Sequence, residues 1–197
     1  MVEGLRETSE MLFALLEREG EEVGMENVVL GGLSQGAAAA VVAALLWIAD
    51  GRILGGLVGL CARLPLAGRI MEALREGDQV EEDGVLFAVE EAEVDEEEVR
   101  RPITPLKKAA AALGEVIGFE LPTASVSKAT TEWDMLPLLL AHGIEDQTVP
   151  IQLGRQARDC FQEMGAEVEW LEQLGLGHWY SDEILAAIVP ILERSGF

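Results

Sequence analysis

The hydrophobic positions of this chain follow two alternating patterns along most of its length. Short apolar runs that end in glycine or a turn residue predict buried strands at 27–31, 53–60, 137–142 and 166–172. Apolar residues with helical spacing, or in an alanine-rich run, predict helices at 5–19, 37–49, 71–76, 151–164 and 182–192. Strands that alternate with helices are typical of a parallel sheet with helices on both faces. The pattern predicts a single α/β domain over residues 1–197 with about four parallel strands.

The range 77–134 departs from this alternation. It includes most of an acidic block, Glu76–Glu98, with twelve acidic residues and no basic one. Such a block is usually solvated. Three prolines follow, and one helix is expected at Leu106–Leu113. We expect 77–134 to be an acidic, partly disordered insertion, a solvated loop rather than a lid.

The charge balance excludes some partners. With a net charge of −22, the chain is poorly suited to nucleic acid or an anionic membrane, because phosphate contacts need clustered Lys and Arg. The longest apolar run, Ala37–Ala49, is shorter than the ~20 residues of a membrane span. The N-terminus also lacks the pattern of a signal peptide. We therefore expect a cytoplasmic protein without stable membrane insertion.

The cysteines and histidines point away from a metal site. Cys61 and Cys160 each lie in an apolar stretch, so buried free thiols are expected rather than a disulfide. The two histidines are far apart, and there is no C-x-x-C. No metal ligand is therefore expected.

One serine, Ser34, lies between a predicted strand and a predicted helix. Residues 32–36 read GLSQG and fit G-x-S-x-G, in which a serine occupies a strained turn between a strand and a helix. Small flanking residues are expected there, because the backbone folds back tightly and a Cβ would clash. The strand 27–31 and the helix 37–49 supply the required context. We interpret the segment as a nucleophile elbow, with an ordinary Gly-Ser turn as the alternative.

Three candidates each follow a different predicted strand, in the order Ser34, Asp146, His178. The carboxyl ends of parallel strands meet at one edge of a sheet. A serine hydroxyl needs an imidazole to take its proton, and a carboxylate to orient that imidazole. His142 is the other candidate base, although its place at a strand end favours a packing or hydrogen-bonding role. These residues form a candidate catalytic triad.

Four stretches resemble the phospholipase/carboxylesterase family, which contains acyl-protein thioesterases and lysophospholipases. They are residues 31–36, 60–65, 142–150 and 175–178. The most specific is H-G-x-x-D-x-x-V-P at 142–150, because it places the acid at a fixed offset from a strand end. The resemblance covers about 25–76 and 135–195 and excludes the acidic insertion.

The resemblance implies an α/β-hydrolase fold that hydrolyses carboxylic esters or acyl thioesters through an acyl-enzyme. It makes Ser34 the nucleophile, Asp146 the orienting acid and His178 the base. The backbone N–H of Gln35 would be one oxyanion donor. No metal or organic cofactor is implied, and the substrate would be an acylated protein, a small ester or a lysophospholipid.

Three further residues are candidates for an acyl-binding groove, with core or rim packing as the alternative. They are Leu64, Pro65 and Trp179.

Family members have more chain before the elbow, including a loop that supplies a second oxyanion donor, whereas 33 residues precede Ser34 here. The strand 27–31 would then be a sheet edge, which invites pairing with another chain. We therefore expect an N-terminally truncated product, a fragment, or a homodimer formed through that edge. The competing function is a non-catalytic remnant that binds a partner or an acyl chain. A dienelactone-hydrolase-like enzyme is a weaker third candidate, because such enzymes typically use a cysteine at the elbow.

Overall fold

The computed structural model describes residues 2–76, 103–120, 133 and 136–196. The helices are α1 (Val2–Val23), α2 (Gln35–Ala49), α3 (Ala67–Glu76), α4 (Pro105–Ile117), α5 (Ile151–Glu163) and α6 (Asp182–Arg194). The strands are β1 (Val29–Leu33), β2 (Gly56–Leu60), β3 (Leu138–Gly143) and β4 (Glu169–Gln173). Each predicted strand and helix is present, with its ends moved by a few residues. A short 3₁₀ turn at Met25–Asn27, which the pattern did not predict, precedes β1.

The four strands form one parallel sheet in the order β1-β2-β3-β4. Each strand therefore pairs with the next one along the chain, and the connection between them crosses over through helical segments. Within the described residues β1 lies at an edge of the sheet, as predicted. All four carboxyl ends lie at the same end of the sheet, where the candidate residues follow.

The sheet has helices on both faces, as predicted, but they are unevenly distributed. Leu57 and Leu140 point into a large core built with α1 to α5. Their neighbours Val58 and Leu139 point to the opposite face and pack against Ile184 of α6. This alternation follows from the period of two of a β-strand.

The helix α2 lies at the centre of the larger core. Apart from its first residues it is almost wholly buried, and it contacts β1 and β2 as well as α1 and α4. Its continuous apolar sequence follows from burial on all sides rather than on one stripe. In the part of the chain that the structure describes, no helix combines the length and the apolar character needed to cross a bilayer.

The helix expected at residues 106–113 is present as the longer α4. Thr104 caps its start by accepting a hydrogen bond from the Lys107 N–H, and Gly118 ends it in the left-handed conformation. Leu106 and Leu113 are fully buried against the rest of the core. This segment therefore belongs to the core, whereas the acidic block beyond Glu76 and most of the remaining range 77–134 lie outside the described residues.

Candidate active site

Ser34 forms the corner between β1 and α2. Its backbone has φ 58° and ψ −117°, a conformation that residues other than glycine rarely adopt because it costs free energy. The Ser34 N–H donates to the carbonyl of Leu60, 2.8 Å away, and the Ser34 carbonyl accepts from the N–H of Ala38. The strand-to-helix setting expected of a nucleophile elbow is present, and contacts on both sides hold the strained turn.

The two glycines of G-x-S-x-G have different environments. A Cβ on Gly32 would lie 2.4 Å from the backbone carbon of Gly36 and 2.5 Å from the nitrogen of Ala37. A Cβ on Gly36 would have no atom within 4 Å. The expected backbone clash therefore explains the first glycine and not the second.

Asp146 lies in the loop after β3, and its side chain is buried. One carboxylate oxygen, Oδ1, accepts the N–H groups of Thr148 and Val149 at 2.8 and 2.9 Å. The other, Oδ2, lies 2.7 Å from Nδ1 of His178. Burial alone would raise the pKa of Asp146, but the hydrogen bonds from His178, Val149 and Thr148 outweigh it and hold the pKa below its usual value. The carboxylate is therefore kept ionised and fixed in orientation.

The loop that carries His178 packs closely against the end of β3. A Cβ on Gly143 would lie 2.2 Å from the carbonyl oxygen of Leu176 and 2.3 Å from that of Gly177. The Glu145 N–H donates to the same Leu176 oxygen at 3.0 Å. Glycine at position 143 therefore allows the close approach that brings His178 to Asp146.

The second histidine, His142, is fully buried at the end of β3. Its Nε2 lies 2.8 Å from the carbonyl oxygen of Val149 and 3.3 Å from Oδ2 of Asp146. The contact with a carbonyl places the hydrogen on Nε2, since a carbonyl can only accept. Nδ1 is buried without a hydrogen-bond partner among the described residues. These contacts support the packing and hydrogen-bonding role, and His178 is the histidine with an accessible ring.

Main-chain hydrogen bonds connect these strand ends across the sheet. The Ser34 N–H donates to Leu60, the Cys61 N–H donates to Ala141, and the Ile144 N–H donates to Gln173, each at 2.8–2.9 Å. The elbow and the Asp146–His178 pair therefore lie at the same end of the sheet. Among the described residues the Ser34 hydroxyl makes no hydrogen bond with His178, a contact that often tightens only when substrate binds.

No protein-family model matches this chain, and no curated protein matches it. Solved structures do match. SOBER1 of Arabidopsis thaliana aligns with a TM-score of 0.59 and 22% identity over 97% of this chain and 64% of that one. Esterase PE8 aligns with a TM-score of 0.57 and 16% identity, over 98% and 65% of the two chains.

The chain has the α/β-hydrolase fold. Identities of 22% and 16% support the likeness of fold alone, and the chain spans less than two thirds of the length of either structure. The fold class predicted from the sequence is thus confirmed.

The remaining candidates have different positions in this α/β-hydrolase fold. Gln35 is the first residue of α2, where backbone N–H groups have no partner within the helix. Leu64 belongs to the core and Pro65 is buried, which favours core packing for both. Trp179, next to His178, is 56% exposed and stacks on Tyr180 with ring centroids 4.9 Å apart. Of the three groove candidates, only Trp179 is accessible to a ligand.

Sequence reasoning missed the position of Cys61. Both cysteines are free and buried, as predicted, but Cys61 directly follows β2 with φ 48°. One atom each from Cys61, Asp146 and His178 lie within 4.8 Å of one another. Burial and the negative charge of Asp146 raise the pKa of the Cys61 thiol to about 11. Its place at the end of a predicted strand, like those of the triad candidates, was the available signal.

Proposed function

We propose that the chain is a serine hydrolase that cleaves carboxylic esters or acyl thioesters through an acyl-enzyme. The observation that carries this proposal is the 2.7 Å contact between Oδ2 of Asp146 and Nδ1 of His178, at the end of the sheet where Ser34 forms its strained corner. An acid, a base and a nucleophile on three strand ends are the groups that acyl transfer requires.

In the proposed reaction the Ser34 hydroxyl attacks the carbonyl carbon while Nε2 of His178 takes its proton. Asp146 accepts the Nδ1 hydrogen of His178, so the lone pair on Nε2 faces the reaction, and its charge stabilises the imidazolium that forms. The protonated His178 then gives its proton to the departing alcohol or thiol. Water, deprotonated by the same ring, attacks the acyl-enzyme and releases the acid.

The backbone N–H of Gln35 is the proposed donor to the oxyanion. It directly follows the nucleophile and lies at the first residue of α2, so it is free of intrahelical bonding and close to the positive end of the helix dipole. A donor in this position gains most as negative charge develops on the carbonyl oxygen. This assigns one donor of the oxyanion site.

The substrate part of the proposal is an acyl compound with an apolar group: an acylated protein, a small ester or a lysophospholipid. The exposed, stacked pair Trp179 and Tyr180 follows directly after the proposed base. Aromatic side chains provide apolar contact area with a polar edge. We propose that this pair contacts the acyl or leaving group beside the reacting carbonyl.

A fluorophosphonate probe tests the nucleophile directly, because it reacts with activated serines without requiring a natural substrate. The purified protein is labelled and its intact mass is measured beside Ser34→Ala and Asp146→Asn. We expect one adduct on Ser34, none in Ser34→Ala and slower labelling in Asp146→Asn. Absence of labelling in a cooperatively folded sample would instead favour the non-catalytic remnant. A panel of esters and thioesters of increasing acyl length then defines the substrate class.

A further inference from the structure

We propose that Cys61, Asp146 and His178 form a three-ligand site for a thiophilic divalent cation of the Zn²⁺ type, and that an ion bound there disables the base. The inhibitory consequence rests on the function proposed above, whereas the site itself does not. The three residues offer a sulfur, a carboxylate oxygen and an imidazole nitrogen, the donor types that Zn²⁺ prefers.

The donors lie close enough together for a small rearrangement to bring them around such an ion. One atom from each residue lies within 4.8 Å of the other two, and Oδ2 of Asp146 and Nδ1 of His178 are 2.7 Å apart. Zinc bonds of about 2.0–2.3 Å place tetrahedral ligands roughly 3.3–3.8 Å from one another. Asp146 and His178 are therefore closer to each other than two bound ligands would be, and rotation of the partly exposed His178 side chain would open this distance.

The other two ligands are held in place before any ion arrives. The backbone of Cys61 is fixed by its N–H bond to Ala141. Oδ1 of Asp146 already accepts two backbone N–H groups, which leaves Oδ2 to face the cation. Hydrogen bonds of this kind orient a ligating carboxylate. Cys61 and Asp146 are buried, whereas His178 is partly exposed, so we place the entry of the ion on the side of His178.

Binding of the ion changes which atoms of the site carry hydrogens. The ion replaces the hydrogen between Asp146 and Nδ1 of His178, and the neutral imidazole keeps its hydrogen on Nε2 instead. The Cys61 thiol loses its proton to solvent as the metal–sulfur bond forms, so one proton is released for each ion bound. With a hydrogen on Nε2 and its Nδ1 lone pair on the metal, His178 cannot accept the proton of Ser34.

Charge neutrality also favours this assignment. The Asp146 carboxylate and the Cys61 thiolate together balance a divalent ion. A further titratable group, His142, lies beside the carboxylate, with its Nε2 3.3 Å from Oδ2 of Asp146 and carrying a hydrogen. That N–H supports the carboxylate beside the ion. Three protein ligands leave a fourth position for water, as in open zinc sites.

Cobalt(II) serves as a spectroscopic probe, since a cobalt–thiolate bond absorbs in the near ultraviolet. The titration uses the Ser34→Ala protein, so its outcome is independent of hydrolysis. We expect a charge-transfer band that saturates at one ion per chain and is displaced by Zn²⁺. The band should be absent from the double variant that combines Ser34→Ala with Cys61→Ser. It should persist in the one that combines Ser34→Ala with Cys160→Ala, because Cys160 is buried away from the three ligands. A second ligand variant, His178→Ala, should weaken binding at least roughly tenfold.

The inhibitory arm measures the fluorophosphonate labelling rate of each variant with and without Zn²⁺. Zinc should slow labelling in the wild type and in Cys160→Ala, reversibly with chelator, and leave the rate of Cys61→Ser unchanged. No cobalt band, or a band that survives Cys61→Ser, overturns the site and leaves the proposed function standing. Cobalt binding in a chain that never labels supports the site and counts against the proposed function. Labelling unaffected by saturating Zn²⁺ overturns the inhibition.

Discussion

The buried ring of His142 approaches the same carboxylate oxygen of Asp146 that contacts His178, with Nε2 and Oδ2 3.3 Å apart. Because Nε2 also bonds the carbonyl oxygen of Val149, its hydrogen is shared between a carbonyl and a carboxylate. The two histidines therefore have different tasks around one acid. His142 holds the loop that carries Asp146, and His178 is the proposed base.

Replacing His142 by Leu removes this shared donor and leaves the Val149 carbonyl buried without it. We expect the free energy of unfolding to fall by about 1–3 kcal/mol, the usual cost of an unsatisfied buried polar group. Urea denaturation followed by circular dichroism measures the change. An unfolding midpoint equal to that of the wild type, at the same slope, would contradict the assigned role.

The two glycines of the elbow provide a matched pair. Gly32→Ala should lower the free energy of unfolding by about 1–3 kcal/mol or more, because its Cβ would meet the backbone of Gly36 and Ala37. Gly36→Ala adds a Cβ into open space within α2 and should stabilise by roughly 0.5–1 kcal/mol through helix propensity. Melting temperatures of both variants check this. Equal losses would mean that the two positions are equally constrained.

A substitution outside the triad candidates can displace the loop that carries His178. Gly143→Ala puts a Cβ against the carbonyl oxygens of Leu176 and Gly177, which should push His178 away from Asp146. A displacement of about 1 Å can cost ~10²-fold in rate, so we expect Ser34 labelling to slow by that order. Gly177→Ala, whose Cβ would meet nothing within 4 Å, is the control and should label much faster than Gly143→Ala. Similar rates in the two variants would argue against this dependence on backbone approach.

The lowered pKa of Asp146 predicts a pH-dependent contribution to stability. Since the folded protein favours the ionised carboxylate, this contribution is fully present above the unfolded pKa of about 3.9 and is lost as the pH falls through the lower folded value. Asp146→Asn does not titrate, so the stability difference between wild type and variant should shrink below about pH 3.9. Urea unfolding between neutral pH and pH 3 tests this. A difference that stays constant throughout would show that ionisation is not what stabilises the loop.

The hydrophobic pattern of the sequence predicted the positions of the strands and helices better than the burial and the neighbours of their residues. Strand and helix positions depend on the local spacing of hydrophobic residues. Since Ser34, Asp146 and His178 each follow a predicted parallel strand, their location at one edge of the sheet could be predicted as well. The burial of α4 in the core could not be read from its sequence, because alanine-rich helices look alike whether they cover a core or a loop. Likewise, the open space at Gly36 and the proximity of Cys61 to Asp146 depend on atoms far away in the chain.

The main-chain bonds that join Ser34 to Leu60, Cys61 to Ala141 and Ile144 to Gln173 use backbone groups alone. None of them uses a side-chain atom, so residues other than proline can make them. The backbone geometry of the site is therefore set independently of its functional side chains. A substitution at a strand end can replace one functional side chain by another while these main-chain hydrogen bonds remain. In such a scaffold a single substitution can change the functional groups of the site without a change of fold.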